Sequence, residues 1–477
     1  MKILCLCACS IGRFIESLQF ELLVPKSFST YKEAEDSRLD WLRLRLRRLV
    51  AVQPEEVRAL FWSFTYFFAL LCSYYIIRPM RDEMGIAGGV DKLQWMFTGT
   101  FLVMLAAVPL FGWVAKRYPV RQFLPYVYYF FIGNLVIFFV LFKSDITHAY
   151  IARAFFIWAS VFNLFIVSVF WSFMTDIFTN EQAKRLFGVI AAGGTAGALT
   201  GPVITAALVT SLGPANMLLI SVAFLAVAVC CIHQMVAWRN AAISTTGPES
   251  RLAPENTAAV RDRAIGGSIF AGIRLVFSSS YLTGICFLIL LYATLATFLY
   301  FQQAQIVRDS FSDSASRTAV FAAMDFSVNF LTIVVQLLVT SRIVGKWGLS
   351  WALALIPLLL GFGFLLLGLM PTLSILIAVQ VLRRAGNYAL MRPAREMLYV
   401  VLGKEEKYKA KNFIDTVVYR GGDAVSAWAY AGLKAVGLNL AGIALVAVPL
   451  AAVWGWISFK LGKRQTQLAA RDINSSG

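Results

Sequence analysis

Four arginines and six carboxylates carry the chemistry that this sequence can support. Arg78, Arg81, Arg384 and Arg420, together with Asp82, Asp176, Asp325, Asp415, Asp423 and Glu396, fall within or at the ends of stretches apolar enough to lie in lipid. An ionisable group at membrane depth is costly, so each is a functional hypothesis by default. A guanidinium presents a rigid fork of donors that matches two oxygens of a phosphate or carboxylate, so the arginines are expected to bind an anionic solute. The carboxylates are expected to form gating pairs or to carry coupling protons. Local neutralisation is the competing reading, since Arg420 and Asp423 lie three apart on one helix face. Counting 1.5 Å per residue from Leu60 places Arg78 near the far side of the hydrocarbon, so only a longer or displaced first helix would bring it to the midplane.

Other chemistry is thinly supplied. The only histidines, His148 and His233, lie near span ends without a cluster of partners, so neither an enzyme nor a metal or other cofactor is expected. Of seven cysteines, Cys72, Cys230, Cys231 and Cys286 lie in apolar stretches and Cys5, Cys7 and Cys9 in a short leader, with no spacing of a disulfide or metal framework.

The elements that must position these residues are membrane helices. With 477 residues, 59% of them hydrophobic and 14% charged, the chain has too little polar surface to cover a soluble fold of its size. A span needs ~20 apolar residues, and twelve candidates fall near 59–80, 92–114, 122–142, 151–175, 187–209, 213–237, 281–303, 318–341, 348–369, 372–398, 412–434 and 437–460. The fold class is therefore all-α, a polytopic membrane protein of about twelve helices. A hydrophilic stretch divides it into two six-helix halves: an N-terminal extension (1–57), a first half (58–238), a linker (239–267), a second half (268–464) and a tail (465–477).

Net charge is +17, and the basic residues cluster in alternate loops. Arg43 to Arg48, Lys116 to Arg121, Arg239 to Arg274, Arg342 with Lys346, Arg383 to Lys411 and Lys460 to Arg464 fall on one side, whereas Thr205 to Trp238 and Trp351 to Leu382 hold no charged residue. The excess of Lys and Arg marks that side as cytoplasmic. The chain is expected in a bacterial inner membrane with both termini in the cytoplasm. Nucleic acid is not an expected partner, because the basic residues are scattered among membrane loops rather than gathered into a patch.

The halves repeat. Ala183-Lys184-Arg185 precedes Gly193-Gly194 in the fifth span, and Ala410-Lys411-Asn412 precedes Gly421-Gly422 in the eleventh. Arg78-Pro79-Met-Arg81-Asp82 and Arg392-Pro393-Ala-Arg395-Glu396 share the pattern Arg-Pro-x-Arg-acid on spans of opposite direction, which suggests a salt-bridge gate at each end. Gly193, Gly197 and Gly201 share a face on which another backbone can approach closely. The loops Gly112 to Arg121 and Ser341 to Gly348 resemble, in degenerate form, the small-residue and basic loop motif of the major facilitator superfamily.

A closer resemblance is carried by three segments. Tyr75-Ile-Ile-Arg78-Pro-Met-Arg81-Asp82 resembles the first-helix motif of the ATP:ADP antiporter family of nucleotide translocases. Phe170-Trp171-Ser-Phe-Met-Thr-Asp176-Ile-Phe-Thr-Asn-Glu181-Gln-Ala183-Lys184-Arg185 is similar to that family's stretch between the fourth and fifth helices, with Asp176 where the family has a Glu. Ile414-Asp415-Thr-Val-Val-Tyr-Arg420-Gly-Gly422 resembles its eleventh-helix motif. The resemblance, to a divergent bacterial branch, implies a facilitator-type fold, exchange transport and an anionic, phosphorylated solute such as a nucleotide. Two positions depart from it. The family's seventh-helix acid falls on Tyr300, and its Lys after the eleventh-helix glycine falls on Asp423. A nucleoside triphosphate carries about four negative charges and needs a matching excess of fixed positive charge. A smaller phosphorylated or carboxylated anion, proton-coupled through Asp423, therefore stands beside the nucleotide. A membrane scaffold or sensor without flux is the remaining alternative.

The charge pattern predicts that reporter fusions at either terminus or within 239–267 report the cytoplasm. An external signal at any of the three would refute the twelve-span arrangement.

Overall fold

The computed structural model describes residues 52–53, 56–117, 120–144, 148–245, 276, 278–403, 410–411 and 413–476. The leader and nearly all of the 239–267 linker lie outside the described residues. Among the described residues all regular structure is helical. The helices are α1 (Val57–Ala87), α2 (Leu93–Arg117), α3 (Val120–Lys143), α4 (His148–Ile177), α5 (Asn180–Leu212), α6 (Pro214–Thr245), α7 (Ser280–Ser310), α8 (Ser314–Val335), α9 (Ser341–Leu369), α10 (Leu373–Gly386), α11 (Tyr419–Ala435) and α12 (Leu440–Ser476). By length and composition ten of the described helices could each cross a bilayer. The regions of α10 and α11 are not among the ten; they carry Arg383, Arg384, Arg392, Arg395 and Glu396 in one and Asp415, Arg420, Asp423 and Lys434 in the other, and a π turn interrupts each, at Asn387–Met391 and at Ile414–Val418. Past its π turn α10 resumes as a short helix, Arg392–Leu398.

Local chemistry sets the boundaries. Thr179 accepts from the backbone N–H of Gln182 while the Gln182 side chain accepts from the N–H of Thr179, so a capping box starts α5. Gln182 and Arg185 in that first turn then donate to Glu56 at the start of α1, Arg185 at 2.8 Å. Burial raises the Glu56 carboxyl, but the backbone N–H of Gln53 and the side chains of Arg185 and Gln182 outweigh it and hold the group below its ordinary value. Gly89, at φ +100°, makes the reversal between α1 and α2. Gly348, at φ 76° and ψ 173°, breaks α9 near its start.

Each half has its own apolar core. One gathers α1 and α3 to α6 around Tyr66, Phe155, Phe162, Phe170 and Phe173, and the other gathers α7 to α12 around Phe298, Phe364, Tyr399 and Trp454. The second core reaches into the first half through buried Ile86, Val90, Leu93, Met96 and Phe156, with Phe97 and Ile157 packed against it. These residues stand at the end of α1 and in the first turns of α2 and α4, or a little deeper, all toward the face opposite the basic loops. That face is termed the far face below, and the other the basic face. Exposed Leu110, Tyr126, Phe130 and Phe362 on the periphery suit a lipid solvent.

The glycine stripe of α5 packs directly on the backbone of α1. A Cβ at Gly193 would stand 2.5 Å from the carbonyl oxygen of Phe64, and one at Gly201 would stand 2.8 Å from that of Cys72. Gly188, earlier on the same helix, has nothing within 4 Å of a built Cβ. Gly201→Ala should therefore destabilise the purified protein by about 1–3 kcal/mol through overpacking. Gly188→Ala should be neutral or slightly stabilising, because alanine favours the helix. Equal melting temperatures for the two variants would show that the α1–α5 contact tolerates a methyl group.

Candidate functional site

Arginines from both halves meet in one chamber. A cavity of about 190 Å³ is lined by Arg78, Arg81 and Asp82 of α1, Thr297 and Tyr300 of α7, Arg383 and Arg384 of α10, Tyr388 of its π turn, and Arg420 and Asp423 of α11, among others. The four arginines expected to bind the solute are thus brought together. Arg78 reaches the chamber because α1 is 31 residues long, ~46 Å at 1.5 Å per residue and more than the hydrocarbon thickness. Arg78 borders both the chamber and a lobe that leads away from it toward the basic face.

Each guanidinium has partners from within the protein. Arg384 Nη2 lies 2.5 Å from Asp325 Oδ1, and Arg78 Nε lies 3.6 Å from Asp325 Oδ2. Arg81 donates to Ser160 Oγ at 2.8 Å, lies 3.1 Å from Asp82 Oδ1, and sits over the Phe156 ring at 4.2 Å from its centroid. Asp82 also accepts from the Tyr300 hydroxyl at 3.0 Å, a bond between the halves. Arg383 donates to Gln380 Oε1 at 2.8 Å. Arg420 Nη1 is 3.7 Å from Asp423 Oδ2, so the expected pairing on the face of α11 is present but long, and Thr297 donates to Asp423 at 3.4 Å.

The remaining carboxylates are elsewhere. Asp176 is exposed in the last turn of α4 and is not brought to the chamber. Asp415 lies 3.6 Å from Arg395, and Glu396 lies 2.5 Å from Lys411. Both pairs belong to the second half at the basic face. The two Arg-Pro-x-Arg-acid segments do end toward opposite faces. Only the first joins the halves here, because Glu396 finds its partner within its own half.

Sequence reasoning missed the ion pair that does join the halves at the far face. Glu83, buried at 0% exposure, receives Arg317 through Nε at 2.7 Å and Nη2 at 2.8 Å, a two-pronged contact between α1 and α8. Asp313 caps α8 four residues earlier, and the Ser316 hydroxyl and backbone N–H hold its carboxyl below the usual range. Lys434 of α11 meets Asp91 at 2.6 Å, and Trp95 packs edge-on against Trp428. Glu83 adjoins Asp82 and Arg317 lies just outside the expected 318–341 span, so both look like ordinary interfacial charges in sequence.

Toward the basic face the chamber continues. Two lobes of about 390 and 400 Å³ adjoin it, the first sharing Arg78 and the second Arg420. Tyr388 lines all three spaces, and Asn163 and Arg392 line both lobes. A polar chamber between two helical halves, sealed at one end and extended toward the other, is the architecture of an alternating-access carrier. The sequence matches the model of the Major Facilitator Superfamily over residues 59–403. The chain belongs to that superfamily.

Solved structures agree with this facilitator fold at low identity. A POT family transporter in complex with a thioalcohol-conjugated peptide is 12% identical, with a TM-score of 0.56 over 87% of this chain and 99% of that one. A bacterial homologue of the iron transporter ferroportin, in an inward-facing state, is 13% identical, with a TM-score of 0.57 over 86% and 98%. A bacterial homologue of the human lysosomal transporter Spinster, inward-facing and unoccupied, is 12% identical, with a TM-score of 0.52 over 87% and 99%. These likenesses concern the fold alone. No curated protein matches the sequence. The facilitator is a multi-pass secondary transporter whose surroundings are a lipid bilayer and whose cargo is a small solute.

Breaking the Glu83–Arg317 pair should loosen the far face. With a cysteine placed in the chamber at Ala296, Glu83→Gln is expected to speed labelling by an impermeant maleimide from the far face several-fold, since breaking a buried pair costs about 3–5 kcal/mol. The charge swap Glu83→Arg with Arg317→Glu should return the rate toward that of the parent. Labelling that ignores Glu83→Gln would remove this pair from the seal.

Proposed function

We propose that this facilitator exchanges small organic anions carrying about two negative charges, a phosphomonoester or a dicarboxylate, with Arg78, Arg81, Arg384 and Arg420 as the binding groups. The supporting observation is the charge balance of the chamber. Arg78, Arg81, Arg383, Arg384 and Arg420 face Asp82 and Asp423 within it, and Asp325 stands behind, an excess of two positive charges. A phosphomonoester carries about −1.5 to −2 at neutral pH and would close that balance. The chamber's ≈ 190 Å³ also favours a small solute over a nucleoside triphosphate. Nucleotide exchange keeps the support of the sequence resemblance, and the two basic-face lobes offer further room for it.

Exchange follows from the same charge. Sealing an empty chamber would enclose uncompensated arginines where the dielectric is low and repulsion is strong. Sealing a loaded one would not. Coupling to protons through Asp423 is the second reading, favoured by its long contact with Arg420. The inner membrane of a bacterium, with both termini in the cytoplasm, is the setting proposed for this activity.

Proteoliposomes loaded with glycerol phosphate, a dicarboxylate, or ATP with ADP would separate these readings. Uptake of labelled solute should require a like anion on the trans side and should be insensitive to an imposed pH gradient. Arg384→Gln should lower uptake about 30-fold or more, because removing one member of a buried charge pair costs about 2–5 kcal/mol. Uptake driven by the pH gradient with empty vesicles would favour proton coupling. Robust ATP/ADP counter-exchange would defeat the small-anion reading, and flux of no anion would leave the scaffold or sensor.

A further inference from the structure

Asp325 occupies an unusual place. It lies on α8 at 1% exposure, pairs with one arginine from each half, and is itself absent from the chamber lining to which both arginines belong. The carboxylate therefore reaches Arg78 and Arg384 from behind, and their outer sides are left to the cavity. Its contacts are unequal. Oδ1 makes the 2.5 Å contact with Arg384, while Oδ2 is buried, makes no hydrogen bond and stands 3.6 Å from Arg78. Arg384 Nε is likewise buried without a hydrogen-bond partner. The cluster is thus under-neutralised, two guanidinium charges against one carboxylate, with a donor unspent.

A buried carboxylate in this position does two things at once. It holds the Arg384 guanidinium by a hydrogen bond and draws that of Arg78 by charge alone, so neither turns freely away from the cavity. It also subtracts one charge from the field that a solute meets, without occupying the space the solute needs. A carboxylate on the chamber wall, such as Asp423, would subtract charge but also touch the solute.

We propose that Asp325 is the positioning residue that sets the valence of the transported anion: by neutralising Arg78 and Arg384 from behind, it tunes the chamber to a dianion and against a trianion. The proposal rests on the anion-exchange reading above. Asp325→Asn keeps the shape and removes the charge, leaving an excess of three in place of two, and should move the preference toward a third negative charge. Asp325→Glu should keep the preference of the parent.

The test compares anions of one skeleton that differ by a carboxylate: glycerol 3-phosphate with 3-phosphoglycerate, and glutarate with tricarballylate. Binding to the purified full-length protein is followed by calorimetry or intrinsic tryptophan fluorescence. The ratio of trianion to dianion affinity should rise about tenfold in Asp325→Asn, since a unit of charge removed at this range acts on the extra carboxylate through a weakly screened medium. It should stay at the parent value in Asp325→Glu. A purely structural role would weaken both anions together and leave the ratio alone, which would overturn the proposal. If Asp325→Asn does not give a monodisperse protein, Asp325→Ser removes the same charge with a smaller polar group. It should raise the trianion-to-dianion ratio in the same way, and an unchanged ratio there would equally overturn the assignment. Saturable binding of none of the four by the unmodified protein would overturn the anion reading itself, and this inference with it.

Discussion

Holding guanidinium groups at membrane depth is the constraint on which the rest of the structure depends. An arginine at the centre of a spanning helix costs about 2.5–3.5 kcal/mol on insertion scales, and five of them line one chamber here. The protein meets that cost from several directions. Carboxylates serve Arg78, Arg81, Arg384 and Arg420, an amide oxygen serves Arg383, and the rings of Tyr75, Phe156 and Tyr419 lie 5.6, 4.2 and 5.3 Å from the guanidinium carbons of Arg78, Arg81 and Arg420. Most of the compensation comes from within each half, and Arg78, whose carboxylate stands on α8, receives its own only when both halves are assembled.

The two halves are built with different stiffness. In the first, the carbonyls of α1 sit against the glycines of α5, a contact between backbones with no side chains to rearrange. In the second, π turns interrupt the ends of α8 and α10 and the start of α11. A π turn leaves carbonyls without their usual helical partners, and here side chains of a neighbouring helix take them up. Thr340 donates to the carbonyl of Ala389 at 2.9 Å, and Gln336 to that of Tyr388 at 3.4 Å. Bends of this kind recur at functional sites, and Tyr388, on one of them, stands where the chamber meets both lobes. Among the described residues the first half has no such turn.

Much of this was legible in the sequence because hydropathy and glycine spacing act locally. The all-helical class, most of the apolar spans and the close packing at Gly193, Gly197 and Gly201 all follow from neighbours along one helix. The membrane-depth arginines were equally plain, since charge in an apolar run stands out whatever it touches. Pairings across the chain were not. Asp325 looked like one ionisable residue among several, although its position between Arg78 and Arg384 makes it the centre of the cluster. Asp176 is the same residue type on the fourth helix, yet it stands exposed in the last turn of α4, at the basic face. Glu83 and Arg317 were hidden because interfacial charges are common and only the fold sets these two against each other. The interruptions of α10 and α11 were hidden for a related reason: a π turn is stabilised by tertiary partners such as Gln336 and Thr340, and its own residues carry no distinct signature.

The Glu83–Arg317 pair at the far face and the Glu396–Lys411 pair at the basic face differ in how much they resist change. The Glu83–Arg317 pair is buried and doubly bonded across the halves, so separating it leaves a buried carboxylate without its arginine. At the basic face the Glu396 and Lys411 side chains are 42% and 33% exposed and belong to one half. Water competes for such a pair, and its partners can be exchanged for little free energy. In the proposed cycle, opening the far face is therefore the costly step and rearranging the basic face the cheap one. In that cycle the carrier without solute would rest with the far face sealed and its excess positive charge open toward the basic side, where counter-ions and water can reach it. A solute that neutralises the arginines removes the penalty for closing over them. The chamber charge then decides whether the halves can close, and the far-face pair decides which way they rest when they cannot.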